Sequence, residues 1–250
     1  MKWEIKREVA YGRLAHVLVW KKHAGETPMP PDSMHRIPNG SRTLHLLIAT
    51  TNAGKIREFR QMLGGGRFEW SDLSQHSPVE SVEETGRTFR ANACLKAIYY
   101  AQHYKMAVIA DDSGLEVDAL NGSPGVHSAR WAELNQAGKG DLENNALLLK
   151  QLADVPEAKR TARFVCVLAL ADAKGRILLT VRDTMEGRII REPRGQNGFG
   201  YDPLFLVASH ECTTAELPPA TKHEISHRGK ALRRLKLLMD VAIPIDEDLS

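Results

Sequence analysis

An apolar run at residues 107–110 ends in Asp111, Asp112, Ser113 and Gly114, so two adjacent carboxylates and a hydroxyl follow directly on a buried segment. Such a run is too short for a helix, and Asp-Ser-Gly is turn composition, which predicts a strand that stops at a tight turn. The carboxylates would then stand at the carboxyl end of a strand, the edge at which open α/β sheets bind ligands. Two like charges side by side repel, so a folded chain keeps them near water, a cation or hydrogen-bond donors. A polar turn without chemistry has the same composition, and the pair alone leaves both readings open. Other groups could complement it: Lys55 at the end of the polar stretch Thr50, Thr51, Asn52, Ala53, Gly54; Asn92 and Lys96 one helical turn apart; and His227 with Arg228 directly after Ser226.

Elements must hold these groups in place. Residues 44–50 read as an apolar strand, and after it Ile56, Phe59, Met62 and Leu63 recur at helical spacing, with Gly64 suited to the C-terminal cap. Backbone N–H groups at such a helix start, with Lys55 beside them, form an anion site; a structural βα turn has the same form. Glu83 and Glu84 precede a long helix whose Phe89, Ala93, Ala97 and Tyr100 make an apolar stripe, with Asn92 and Lys96 on an adjoining face. A further helix is predicted over 141–152, burying Leu142, Leu148, Leu149 and Leu152. Residues 163–171 and 177–182 flank a turn at 172–176 and predict a hairpin whose second strand continues to Ile190. The loop from Gly195 to Phe205 holds Gly198, Phe199, Gly200, Tyr201 and Asp202, which suits the holding of exposed rings against a flat ligand. In the last helix Ser226 is the expected N-cap and Leu232, Leu235, Leu238 and Met239 the apolar side. That places cationic His227 and Arg228 in a first turn that prefers anions, a local conflict of the kind that marks sites.

Composition bounds the answer. At 250 residues, 42% hydrophobic and 26% charged, the chain is an ordinary globular one with a sizeable core. The formal charge of +3 is uneven: residues 1–43 carry eight Lys and Arg against four Asp and Glu, which leaves −1 for residues 44–250. The body therefore has no electrostatic case for binding a nucleic acid polymer. Cys94, Cys166 and Cys212 are too few and too scattered for a disulfide framework or a Cys-x-x-Cys metal site, and free thiols are expected. No apolar run approaches the roughly 20 residues of a membrane-spanning helix, so no membrane role is expected. Residues 1–43 lack clean periodicity, include a linker-like piece at 25–33, offer a short strand or helix at 14–20, and read as an N-terminal extension with Met34 as an alternative start. The folded domain is expected over 44–250.

Known patterns fit poorly. The segment before Lys55 is not a Walker A loop, because the first glycine falls on Ala49 and Ile56 follows the lysine. Gly198-x-Gly200 fails as a dinucleotide fingerprint, its third glycine being Pro203. His223-Glu224-x-x-His227 matches the zinc metallopeptidase pattern, but metal binding needs both rings on one helical face. If Ser226 starts the helix, His223 lies outside it.

Seven blocks, in order, resemble the inosine triphosphate pyrophosphatase family: residues 49–55, 82–86, Phe89 with Asn92 and Lys96, 110–115, Gly122-x-Pro-Gly-Val-x-Ser-Ala-Arg130, 198–203 and 225–229. The resemblance covers residues 44–240. It implies an elongated α/β domain with a long mixed central sheet flanked by helices, two lobes with the active-site cleft between them, and a homodimer in the cytoplasm. The activity it implies is Mg²⁺-dependent hydrolysis of ITP, dITP and XTP to the monophosphate and pyrophosphate. Carried over residue by residue, it makes Asp112 the proton acceptor and, with Glu83, a Mg²⁺ ligand. Substrate contacts fall on Thr50, Thr51, Asn52, Ala53, Gly54, Lys55, Lys96, Ser113, Phe199, Gly200, Tyr201, Asp202, Lys222, His227 and Arg228. Lys55, Lys96 and the amides of 51–54 suit the triphosphate, which needs neutralising cations. Arg228 suits the 6-oxo group of hypoxanthine or xanthine, with Phe199 or Tyr201 stacked on the ring. Asp111 is a second ligand or a structural acceptor. A pyrophosphatase for other modified nucleotides and a catalytically silent nucleotide-binding module are the alternatives.

Overall fold

The structure, a computed structural model, describes residues 4–10, 13–19, 44–63 and 68–242. The chain divides into two units, residues 1–39 and 40–250. In the first, β1 (Glu4–Ala10) and β2 (Arg13–Val19) pair antiparallel, from Glu4 opposite Val19 to Ala10 opposite Arg13. The segment predicted as strand or helix at 14–20 is thus strand as far as Val19. The linker-like piece at 25–33, Met34 and the proposed cap Gly64 lie outside the described residues.

The second unit runs β3 (Leu44–Ala49), α1 (Ala53–Met62), β4 (Phe68–Asp72), α2 (Phe89–Tyr104), β5 (Ala107–Val117), α3 (Trp131–Leu134), α4 (Asp141–Gln151), β6 (Thr161–Ala171), β7 (Ile177–Ile189), β8 (Phe205–Val207), β9 (Cys212–Thr213), α5 (Pro219–Ile225) and α6 (His227–Ala242). Among the described residues its strands form one mixed sheet in the order β4-β3-β5-β6-β7-β8-β9. β4, β3 and β5 are parallel, and every later pairing is antiparallel.

β5 corrects the expected turn. Asp111, Asp112, Ser113 and Gly114 do not end the strand; they continue it to Val117, because β6 pairs with it residue by residue from Val108 opposite Ala171 to Val117 opposite Ala162. β3 accompanies β5 only as far as Ala49 opposite Ala110. The carboxylates therefore begin where the neighbouring strand stops, and the β5 edge beyond that point borders the loop after β3. The expected position beside a strand's carboxyl end survives, with the strand being β3.

Side chains alternate across a strand, and β5 shows it. Ala107 and Ile109 pack with α1 and α6 side chains in one apolar cluster, while Val108 and Ala110 pack under α2 in another. α2 buries Phe89, Ala93, Ala97 and Tyr100 as its spacing predicts, and Thr88 caps it by accepting from the Ala91 amide at 3.1 Å. In α6, Leu232, Leu235 and Met239 are buried with Leu238 beside them. The β6–β7 hairpin forms as predicted, its turn closed by Asp172, which accepts from the amides of Lys174 and Arg176. In α4, Leu148 and Leu152 are buried but Leu142 is 80% exposed, so the predicted stripe is one residue too long at its start. Helical spacing identifies a face; it does not say how far the neighbouring elements extend along it.

Arg160 fixes the far end of the sheet. It is fully buried, and its guanidinium donates to the carbonyls of Ile189 (2.8 Å), Leu152 (2.6 Å) and Ile190 (3.2 Å), tying the end of β7 to the end of α4. Replacing it takes this donor from the Ile189 and Ile190 carbonyls, while that of Leu152 keeps the Val155 amide at 3.1 Å; a buried acceptor left unsatisfied costs about 1–3 kcal/mol. Arg160→Met is expected to lower unfolding stability by about 3 kcal/mol in denaturant titration, while turnover per folded molecule changes little.

Candidate active site

The cleft lies where β3 stops and β5 continues. Its cavity is about 670 Å³ and is lined on one side by Thr50, Thr51, Asn52, Lys55, Glu83, Glu84 and Lys96, and on the other by Phe199, Gly200, Tyr201, Asp202, Lys222, His227 and Arg228, with Asp112 and Ser113 on its floor. Of the residues predicted as site members, Ala53 and Gly54 are not in the lining, although Gly54 abuts it: a Cβ there would overlap the Phe199 ring.

The alternation of β5 separates the two carboxylates. Asp111 is fully buried outside the cleft lining, and both its oxygens are taken. Oδ1 accepts from Lys55 Nζ and from Ser113 Oγ (2.9 Å), and Oδ2 from Arg228 Nε (3.0 Å) and the Cys166 thiol (3.2 Å). Burial pushes its pKa upward, but the charges of Arg228 and Lys55 outweigh burial and hold it well below the usual carboxylate range. It is a structural acceptor that aims Lys55 and Arg228. The second-ligand reading of Asp111 is not what this geometry supports.

Asp112 looks the other way, into the cleft. Its Oδ1 accepts from Lys96 Nζ at 2.8 Å, and its Oδ2 is buried without a hydrogen-bond partner. Burial raises its pKa more than the nearby Lys96 charge lowers it. An orphaned carboxylate oxygen at the floor of a cleft fits a cation, and Glu83, exposed on the rim, is within the same lining. Among the described residues no three His, Cys, Asp or Glu side chains gather into a metal cage. Mg²⁺ does not need one, since it takes one or two carboxylates and completes its shell with water and phosphate oxygens. The donor set fits that ion.

Lys96 is shared. It donates to Glu84 at 3.0 Å as well as to Asp112, and Glu84 also meets Arg130 at 3.5 Å. Burial works to lower the Lys96 pKa, yet the carboxylates of Asp112 and Glu84 hold it above its ordinary value, so it stays charged. At the start of α1, Asn52 caps the helix by accepting from the Lys55 amide at 3.0 Å, and its own amide donates to Thr50 Oγ1 at 3.2 Å. Of the amides expected to hold phosphate, that of Asn52 is thus already paired. Those of Ala53 and Gly54, in the first helical turn, have no intrahelical acceptor.

On the opposite wall Arg228 is buried. Its Nε bonds Asp111, Nη1 bonds Glu58, and Nη2 donates to Ser113 Oγ at 2.6 Å. Each Nη carries a second N–H, so the fork is anchored and still has donors. Lys222 lies between Glu58 (2.9 Å) and Asp202 (2.6 Å). The phenyl ring of Phe199 sits 5.3 Å from Lys222 Nζ and 5.8 Å from the Arg228 guanidinium carbon. Tyr201 takes a different part from Phe199: it is buried among Leu148, Leu204 and their neighbours and donates to the Ser128 carbonyl at 2.9 Å. Of the two rings expected to stack, that of Tyr201 is thus committed to the core. Gly198 has φ +82°, and a side chain there would collide with the Asp202 carboxylate that receives the Phe199 amide at 2.9 Å. His227 stacks on Phe164 (centroids 4.9 Å apart), and burial together with Arg228 keeps its pKa far below the ordinary value, so the ring is neutral.

The zinc pattern comes apart on Ser226, which ends α5 and accepts from the Gly229 amide at 3.0 Å as α6 begins. His223 and His227 lie on different helices, the former against Gln61 Oε1 at 2.6 Å. Sequence reasoning missed Glu58 and Glu84 as site residues. Lys55 and Glu58 are one turn apart on α1, a weak signal shared with any charged helix surface.

The Ham1 family model matches residues 46–238. The chain belongs to the Ham1 family. A Ham1-family relative from Exiguobacterium sibiricum, named dITP/XTP pyrophosphatase, is 52% identical over 77% of this chain and 96% of its own. One of the same name from Pseudomonas aeruginosa is 47% identical over 76% and 94%. The solved Ham1 protein of Coxiella burnetii superposes with a TM-score of 0.71 at 40% identity, covering 80% of this chain and all of its own. The mixed sheet flanked by helices is thus the Ham1 fold.

Glu58 gives this site a pH dependence. Burial raises its pKa, but Arg228 and Lys222 together bring it from 4.5 to about 2. A group depressed in the folded state stabilises above its unfolded pKa and loses that contribution as pH falls through the folded one. Stability is expected to fall between pH 4.5 and about 2, with Glu58 contributing about 3 kcal/mol of the loss. Denaturant unfolding at a series of pH values should show a shallower acid limb for Glu58→Gln.

Proposed function

We propose that this chain hydrolyses non-standard purine nucleoside triphosphates, ITP, dITP and XTP, to the monophosphate and pyrophosphate, and so clears them from the nucleotide pool. The observation that carries this reading is the Asp112 carboxylate, held by Lys96 on one oxygen and orphaned on the other, between a cationic wall and an aromatic wall. The names of the family relatives, which give dITP and XTP, support this substrate class.

A triphosphate carries about four negative charges near neutral pH. Lys55 and Lys96 neutralise it from positions fixed by Asp111, Asp112 and Glu84, so little reorganisation is needed at the moment of reaction. Asp112 and Glu83 would hold Mg²⁺, which supplies charge neutralisation on phosphate oxygens and lowers the pKa of bound water. Asp112 accepts the proton of the attacking water. The water oxygen bonds the α-phosphorus, the bond from that phosphorus to the bridging oxygen breaks, and pyrophosphate leaves. Burial makes Asp112 a better proton acceptor than an exposed carboxylate.

Selectivity rests on the base. ITP and ATP share triphosphate and ribose, but hypoxanthine presents a 6-oxo acceptor where adenine presents a 6-amino donor. The remaining N–H groups of Arg228, together with Lys222, favour the acceptor and are left unpaired by adenine, a strong form of rejection. Thr50, Thr51, Asn52 and Ser113 contact phosphate or sugar, and Phe199 stacks on the ring. Residues 44–250 carry the activity, and residues 1–43 form an extension to it. A cytoplasmic homodimer completes the reading, with a solution mass twice the 27.8 kDa of the chain.

Asp112→Asn is expected to lower pyrophosphate release from ITP by about 100-fold or more, with the circular dichroism spectrum and thermal midpoint kept. Near-normal turnover would remove Asp112 as the acceptor. In a panel with Mg²⁺, ITP, dITP and XTP should yield pyrophosphate far faster than ATP, dUTP or methylated pyrimidine triphosphates, and chelation should stop release until Mg²⁺ is restored. Preference for a modified pyrimidine would move the enzyme to the alternative substrate class. Binding without any pyrophosphate would mark a silent nucleotide-binding module.

A further inference from the structure

Phe199 lies in an irregular loop, so something besides strand pairing must fix its ring. The amide of Phe199 is held by Asp202, and the next peptide is held from across the cleft mouth by α4. Gly200 N–H donates to Asp141 Oδ2 at 2.7 Å, and Asn145 Nδ2 donates to the Gly200 carbonyl at 3.0 Å. Asp141 and Asn145 are one turn apart on α4 and therefore on one face. Gly200 itself has φ +63°, which glycine adopts without strain and does not by itself fix, so the position of the loop rests on these hydrogen bonds. The same helix holds the opposite loop: Asn144 accepts from the Ala132 amide at 2.7 Å and donates to the Ala129 carbonyl at 3.2 Å, next to Arg130 of the cleft lining.

We infer that Asp141 and Asn145 are positioning residues for recognition of the purine ring: by clasping the N–H and the C=O of Gly200, and so the peptide units on both sides of it, α4 sets the height and tilt of Phe199 over the cleft. The inference rests on the proposed function, since it needs a flat base beneath Phe199. Asp141 is exposed at the edge of the cleft lining and is not among the buried residues of α4, so removing its carboxylate loosens the loop without emptying the interior. A loosened ring costs base affinity and leaves the phosphate cradle of Lys55 and Lys96 intact.

The test compares wild type, Asp141→Ala, Asn145→Ala and Asp141→Asn, the last keeping an oxygen that can accept from Gly200. One lost hydrogen bond of typical net worth corresponds to a rise of about fivefold in KM for ITP and a matching loss in affinity for IMP by calorimetry. kcat should stay within about twofold, inhibition by inorganic pyrophosphate should be unchanged, and Asp141→Asn should recover most of the loss. Unaltered KM and IMP affinity in Asp141→Ala would overturn the inference, as would an equal loss of pyrophosphate inhibition, which a general structural defect would produce. Wild type that neither hydrolyses ITP nor binds IMP would overturn the functional reading, and this inference with it.

Discussion

Consecutive residues of a strand face opposite sides of the sheet, and that constraint is what allows two neighbouring aspartates to serve one cleft. Side by side in sequence, Asp111 and Asp112 are back to back in space. Each then gathers its own cations. Behind the sheet an alternating series runs Lys55, Asp111, Arg228, Glu58, Lys222, Asp202; in front another runs Asp112, Lys96, Glu84, Arg130. Buried charges are tolerable only when each is paired and hydrogen-bonded on several sides, and alternation provides this at every interior member. The result is a set of lysine and arginine side chains whose positions are fixed before any anion arrives.

Sheet geometry decides where those side chains meet. β5 outlasts β3 by the residues from Asp111 to Val117, so the edge of β5 is open where the loop after β3 turns into α1. Groups from both faces reach the same space around that edge: Lys96 from the α2 side, Lys55 and Arg228 from the α1 and α6 side. A β3 as long as β5 would wall the two sets apart. The cleft thus follows from unequal strand lengths as much as from any motif.

Much of the fold is legible in the sequence because it depends on local rules. The stripes of α2 and α6, the hairpin around Asp172 and the Ser226 cap are each set by residues within a few positions of one another. The strand through Asp111 to Gly114 is not legible in that way. Turn composition there is overridden by pairing with β6, whose Cys166 and Leu168 lie more than fifty residues on. The candidate site divides along the same line. Lys55, Asp112 and Arg228 stand in recognisable blocks, whereas Glu58 and Asp141 look like ordinary surface acids of helices, and Glu84, though inside such a block, carries no local sign of its Lys96 partner. Glu58 meets its partner Arg228 across 170 residues of chain, and no local spacing announces such a contact. Tyr201 and Phe199 show the limit from the other side, since two rings one glycine apart read alike in sequence and only packing assigns one to the core.

The misfit at the start of α6 can be weighed in the same terms. A cation in a first helical turn costs about 0.3–1 kcal/mol against the helix dipole. Removing one partner of a buried pair costs about 3–5 kcal/mol, and Arg228 has two carboxylate partners, Asp111 and Glu58. The larger quantity governs. The helix accepts an unfavourable residue because the alternative, two buried carboxylates without their guanidinium, is several times worse. The same comparison explains why the Arg228 guanidinium holds its direction: its anchoring is set by Asp111 and Glu58 and is complete before anything enters the cleft.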